Sequence, residues 1–106
     1  MEIQITLEDF KLIKSFYPEF KRKPGIQTNE FIIGWSELMP VVEKIESLGF
    51  CVSIMTSNIA IMKPFDIDAI SSHDVFKEDK KIDVLCACVL EFITWYSKKV
   101  SQSNPQ

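Results

Sequence analysis

The chain lacks the features that mark membrane proteins, secreted proteins and nucleotide-binding enzymes. No apolar run in its 106 residues approaches the roughly 20 residues that a transmembrane helix needs. The N-terminus has no basic region followed by an apolar region, so we expect no signal peptide and a cytoplasmic protein. None of the three glycines lies in a pattern that cradles phosphate. We therefore expect no membrane contact and no cofactor.

Cysteine is also scarce, and its odd count of three makes a poor disulfide framework. Cys86 and Cys88 are two residues apart on a predicted helix, so their side chains point roughly 200° away from each other. They are badly placed to share a metal ion. We predict that both are small buried hydrophobic residues.

The single histidine, His73, is flanked by Ser71, Ser72 and Asp74. Serine and histidine side by side in the chain rarely have the geometry of a catalytic pair, so an exposed loop histidine is the favoured interpretation. Asp66 and Asp68 would project to one side of a strand and, with Asp74, would suit a hard cation. Solvated carboxylates are favoured, because no calcium-loop spacing is present. We expect neither a metal site nor an enzyme.

Acidic residues concentrate in the middle of the chain. The net charge is −3, but residues 26–76 hold two basic and seven acidic side chains, a local net charge of −5. Phosphate binding uses clustered lysine and arginine. The charge pattern therefore disfavours a broad nucleic-acid surface.

The clearest element is a central amphipathic helix that begins near Ser36. Its apolar stripe comprises Leu38, Val41, Val42, Ile45 and Leu48. Pro40 is expected in the first turn, where a missing N–H does no harm. Gly49 suits the left-handed position just after a helix.

Two further helices are predicted at the ends of the chain. The first begins after the capping residue Thr6, ends near Pro18 and has Leu7, Phe10, Ile13 and Tyr17 on one face. The second follows Asp79 as its N-cap. Its apolar stripe comprises Ile82, Leu85, Cys86, Val89, Phe92, Ile93 and Tyr96. Residues 1–100 are expected to form a single domain, and residues 101–106 a polar, frayed tail.

Alternating side chains over residues 50–57 and 59–65 predict a β-hairpin. A two-residue turn at Ser57-Asn58 would pair Ile54 with Ile61, and a longer loop is the alternative because Ser-Asn is a weaker turn signal than Asn-Gly. Residues 26–34 are expected to form a short extended segment. Residues 66–76 are ambiguous, and a short third strand around residues 67–71 followed by a loop is the favoured interpretation. Helices and strands are segregated along the chain, so the predicted class is α+β, with a small antiparallel sheet of two or three strands packed on three helices.

Two surfaces are candidates for binding. Met55 and Met62 lie on a second, only partly polar face of the hairpin, and Trp95 lies off the centre of the last helix's stripe. They predict a non-enzymatic module that binds a protein partner or forms a homodimer.

The alternative is nucleic-acid binding. A helix, three strands and a closing helix resemble the double-stranded RNA-binding module, and Lys77, Lys80 and Lys81 would contact phosphates at the start of the last helix. Asp79 and Asp83, interleaved with these lysines, argue against it.

Three segments carry a resemblance to a known group of proteins. They are Trp35-x-x-Leu-Met-Pro-Val-Val-Glu-Lys-Ile45, Leu48-Gly-Phe-x-Val-x-Ile54 and Lys80-Lys-Ile-Asp-x-x-x-x-x-Val89-x-Glu-Phe-Ile-x-Trp-Tyr96. Over roughly residues 35–97 the chain resembles small uncharacterised proteins of phages and mobile elements in Bacteroidetes-type bacteria. The N-terminal third departs from that group, which often has a shorter helix there. The resemblance implies a phage or prophage accessory protein and transfers no catalytic residue.

Overall fold

The computed structural model describes residues 2–23, 30–64, 69–77 and 79–102. In chain order its elements are β1 (Glu2–Gln4), α1 (Leu7–Phe16), β2 (Ile32–Gly34), α2 (Trp35–Ser47), β3 (Cys51–Ile54), β4 (Asn58–Met62), β5 (Ala69–Asp74) and α3 (Lys81–Gln102). The described strands form an antiparallel pair, β1-β2, and an antiparallel three-stranded sheet in the order β3-β4-β5. The predicted α+β class is confirmed.

The N-terminal part combines a predicted helix with an unpredicted strand. The hydroxyl of Thr6 accepts the backbone N–H of Asp9 at 3.0 Å, so the predicted cap of α1 is confirmed. On the predicted apolar face of α1, Ile13 is fully buried, whereas Leu7 is 42% exposed. Leu7 is the first residue of α1. The predicted extended segment is confirmed only at β2, because residues 24–29 lie outside the described part.

Helix α2 buries most of its predicted stripe. Leu38, Val41, Val42 and Ile45 are buried, while Leu48, which follows the last turn, is 41% exposed. Pro40 lies inside the helix rather than in its first turn, because α2 already begins at Trp35. The proline lacks the N–H that would bond to the carbonyl four residues earlier, that of Ser36.

The end of α2 has the geometry that its sequence predicts. Gly49 has φ +100°, and its N–H donates to the carbonyl of Glu46 at 3.0 Å. Only glycine adopts this conformation without strain. The chain therefore reverses at Gly49 and enters β3 two residues later.

The hairpin exists, but its predicted register is wrong by two residues. Ile54 pairs with Ile59 rather than with Ile61, and the residues between the strands centre on Thr56-Ser57. Asn58 is not a turn residue: it begins β4, and its side-chain amide donates to the carbonyl of His73 on β5 at 3.2 Å. Since the side-chain period of a strand is two, this shift keeps every residue on its predicted face.

The third strand is present and lies further along the chain than expected. β5 covers Ala69–Asp74, so it contains His73, and the prediction of a loop histidine is wrong. The pairing of β5 with β4 continues the strand through this residue, since Ile59 pairs with His73. Residues 65–68, which include Asp66 and Asp68, lie outside the described part.

Helix α3 forms the centre of the core. It begins at Lys81, and Asp79 does not cap it: the Asp79 carboxylate accepts the N–H of Phe76 at 2.9 Å and closes the preceding turn. The predicted stripe is confirmed, with six of its residues buried and Tyr96 partly buried. The helix reaches Gln102, so the first residues of the predicted tail are helical.

The elements form two layers. α3 packs against β4 and β5 on one face of the sheet, α2 packs against β3, and α1 packs on α3. Phe92 joins the layers, with its ring centroid 4.9 Å from that of Phe50 and 5.7 Å from that of Tyr96. The shortest dimension of the molecule is 19 Å, which fits one sheet and one helical layer. Among the described helices, none is long and apolar enough to cross a membrane.

Candidate interaction surface

The side of the three-stranded sheet that points away from α2 and α3 is called the outer face. Strand pairing places Ser53 beside Ala60, and Ala60 beside Ser72. Because side chains alternate along a strand, the intervening Ile59 and Ile61 point to α3, where both are fully buried. Among the described residues, the outer face comprises Cys51, Ser53, Met55, Asn58, Ala60, Met62, Ser72 and Asp74.

Most side chains of the outer face are apolar or neutral, and one, that of Asp74, is charged. Met55 is 60% exposed, and Cys51 and Ser72 are also exposed. Within the part of the chain that the structure describes, Asp74 is the one charged side chain of the outer face, and it lies at one end, where the Asn58 amide donates to its carboxylate at 3.4 Å. An antiparallel sheet commonly turns one face to water, but that face is then rich in polar residues. An outer face with so little charge suits contact with another macromolecule better than contact with water.

Trp95 lies apart from the outer face. It is on α3, beneath the sheet, and its ring centroid lies 5.9 Å from that of Phe50. The ammonium groups of Lys63 and Lys99 lie 5.5 and 5.9 Å from the centroid of the indole ring. The structure therefore brings Met55 and Met62 to one face of the sheet and places Trp95, partly buried, on the opposite side.

The three candidate phosphate-binding lysines lie where α3 begins. Lys77 is in the preceding turn, Lys80 directly precedes the helix, and Lys81 is its first residue. Lys77 and Lys80 are exposed, and Phe76 beside them is 66% exposed. Asp83 in the first turn of α3 adds a negative charge to this group.

A polar cluster between β5 and α3 was missed by the sequence reasoning. Ser71 donates to Glu91 Oε1 at 2.7 Å, and His73 Nε2 lies 2.8 Å from Glu91 Oε2. Serine and histidine were noticed, but their shared partner is 18 residues further along the chain. The sign of this cluster in the sequence is Glu91, whose carboxylate lies between Leu90 and Phe92 in the apolar part of α3. We call these three residues the Ser71–Glu91–His73 cluster.

The order of groups in this cluster differs from that of a catalytic triad. In a triad the imidazole lies between the hydroxyl and the carboxylate and removes the hydroxyl proton. Here Glu91 lies between Ser71 and His73, so the histidine bonds the acid and not the hydroxyl. Partial burial opposes ionisation of Glu91, but the hydrogen bonds from Ser71 and His73 outweigh it and lower the pKa of the carboxyl. The cluster therefore joins strand to helix through an ionised carboxylate.

The buried cysteines have no nucleophilic character. Burial raises the pKa of the Cys86 thiol to about 12 and also raises the pKa of Cys88. Both residues are buried, as predicted, and all three cysteines are free. Among the described residues, no group of three or more His, Cys, Asp or Glu side chains is arranged to hold a metal ion.

The chain was compared with protein-family models, with curated proteins and with solved structures, and no match was found in any of the three comparisons.

Proposed function

We propose that the chain is a small non-enzymatic interaction module that acts in the cytoplasm and originates from a phage or mobile element. The observation that carries the interaction function is the outer face, where Asp74 at one end is the one charged side chain among the described residues. The proposed origin rests on the resemblance of residues 35–97 to small phage proteins. The three free cysteines are typical of a reducing compartment and support the proposed location.

Binding through the outer face is tested by substitutions that add charge to it. Met55→Glu and Met62→Glu place carboxylates on the outer face, and Met39→Glu places one on α2, where Met39 is 37% exposed. Tagged variants are used to capture partners from bacterial lysate after nuclease treatment, and the captured proteins are quantified by mass spectrometry. We expect the outer-face variants to lose a defined partner at least tenfold, while Met39→Glu retains it. Equal capture by all variants would refute binding through this face.

Nucleic-acid binding is a second candidate function, favoured by the order of the elements. α2, β3, β4, β5 and α3 follow one another as in the double-stranded RNA-binding module, with both helices against the sheet. Exposed lysines also stand at the start of α3, where such modules contact phosphates. Against it, α2 carries three glutamates, Glu37, Glu43 and Glu46, and a single basic residue, Lys44.

Duplex RNA binding is measured by fluorescence anisotropy at two salt concentrations. If this function holds, the double variant Lys80→Glu/Lys81→Glu loses affinity at least tenfold, because phosphate contacts are electrostatic. Lys98→Glu, at the other end of α3, serves as the control and should bind as the wild type does. Binding that is absent, or that is insensitive to salt, would exclude this candidate.

A further inference from the structure

The three-stranded sheet has one protected edge and one unprotected edge. β5 lies at one edge, and its pairing with β4 is interrupted by a register shift at Ile61 and Met62. It also carries the charged Asp74. β3 lies at the other edge, with the sequence Cys51-Val-Ser-Ile54, and has no charge, no proline and no register shift. Proteins usually protect exposed edges by such devices, because an unprotected edge pairs with another strand.

The hydrogen-bonding pattern shows which groups of β3 are available. Met55 N–H donates to the carbonyl of Asn58 at 2.9 Å. In an antiparallel ladder the bonded pairs alternate, so Ser53 also bonds towards β4, and the N–H and C=O groups of Val52 and Ile54 point away from it. Among the described residues, these groups have no backbone partner on that side.

We infer that β3 pairs in an antiparallel manner with β3 of a second copy, about a two-fold axis at Ser53. In this register Val52 lies opposite Ile54 of the second copy, and each such pair exchanges two backbone hydrogen bonds. Ser53 faces its own counterpart, and Cys51 faces Met55. The three strands of each copy then form one continuous sheet.

The side chains favour a second copy over a foreign peptide. Every pair in this register is apolar or neutral, and no like charges meet, so the strand is complementary to itself. Pairing also covers Ile54 and Met55, which are 38% and 60% exposed. The inference rests on the proposed interaction function and deepens it, because pairing joins two outer faces into one wider surface.

Disulfide trapping tests the register. Ser53 pairs of two copies would be non-hydrogen-bonded neighbours with Cα atoms about 4.5 Å apart, a separation that a disulfide spans. Cys51→Ser/Ser53→Cys has one accessible thiol, since Cys86 and Cys88 are buried. Cys51→Ser/Ser72→Cys is the matched control, with its exposed thiol on the outer face at the opposite edge. We expect rapid oxidation to a covalent dimer for the first variant only. Equal cross-linking of the two variants, or none in the first, would overturn the register.

Light scattering tests the dimer itself. The wild type should have twice the chain mass of 12.2 kDa, and Ser53→Lys, which places two ammonium groups at the axis, should have the mass of one chain with an unchanged circular dichroism spectrum. A monomeric wild type would overturn the inference.

The two proposals fail separately. If the wild type is monomeric yet Met62→Glu still abolishes partner capture, the pairing fails and the interaction function stands. Met62 lies on the central strand β4, away from the proposed pairing. If the dimer forms but Met62→Glu captures the partner as well as the wild type does, the outer-face function fails and the pairing stands.

Discussion

Replacing Gly49 by alanine isolates the energy of one backbone conformation. A Cβ built at Gly49 would lie 3.8 Å from Pro64 Cγ, which is an ordinary van der Waals contact, so the substitution causes no clash. The remaining effect is that of φ +100°. Placing an L-residue in left-handed backbone costs roughly 1–2 kcal/mol, and alanine recovers roughly 0.4–1 kcal/mol by restricting the unfolded chain. We expect a net loss of about 1 kcal/mol in the free energy of unfolding.

Urea unfolding followed by tryptophan fluorescence measures this loss. In a domain of this size, about 1 kcal/mol also lowers Tm by roughly 4–8 °C. Gly49→Asn should lose less than Gly49→Ala, because asparagine tolerates positive φ better. Glu43→Ala, at an exposed position of α2, should change stability by less than about 0.5 kcal/mol. A Gly49→Ala variant as stable as the wild type would refute the reasoning that the end of α2 needs glycine.

Three further predictions concern the cap, the core and the polar cluster. Thr6→Ala removes the N-cap hydrogen bond of α1 and should lower the free energy of unfolding by about 1 kcal/mol in urea titrations. Phe92→Ala empties a fully buried position and should lower the free energy of unfolding by about 3–5 kcal/mol. The control Phe76→Ala, at a side chain 66% exposed, should change it by less than about 0.5 kcal/mol. Similar losses for both variants would contradict the assignment of the core. Because the pKa of Glu91 is lowered from 4.5, its stabilisation is present above that pH and is lost as pH falls through the folded-state value. The stability difference between wild type and Glu91→Gln should therefore shrink on acidification, and a difference that grows below pH 4 would contradict the sign.

The helices were predictable because their signals are local. The stripe of α2, its glycine end and the Thr6 cap of α1 each depend on residues within a few turns of one another. The start of α2, and with it the position of Pro40 in the helix, was predicted wrongly. Gly34 occupies the N-cap position but has no side chain that could cap the helix, so the sequence does not mark it as the start. There the Glu37 carboxylate accepts the N–H of Gly34 at 2.7 Å and fixes the start.

The hairpin register was not predictable from the two strands that form it. Asn58 is a good turn residue by itself, but its amide donates to Ser72 Oγ at 3.1 Å and to the carbonyl of His73 on β5. These hydrogen bonds to β5 place Asn58 in β4 instead of in the turn. Both registers place the same residues on the same face, so the alternation of side chains could not distinguish them.

For the candidate surfaces, too, the local features were predictable from the sequence and the long-range arrangement was not. The sequence indicated that Met55 and Met62 share a face and that Trp95 lies off a helical stripe, because these statements follow from the periods of strands and helices. It did not indicate that Trp95 lies on the other side of the sheet from the two methionines.

The sequence by itself determined where the three helices and the hairpin lie and which of their faces are apolar, since these properties depend on neighbours in the chain. Only the tertiary structure decided the pairing of β1 with β2, the meeting of Glu91 with Ser71 and His73, and the position of β3 at an unprotected edge. Each of these brings together residues far apart in sequence. Such contacts form only when the whole core closes around α3, and no local pattern specifies them.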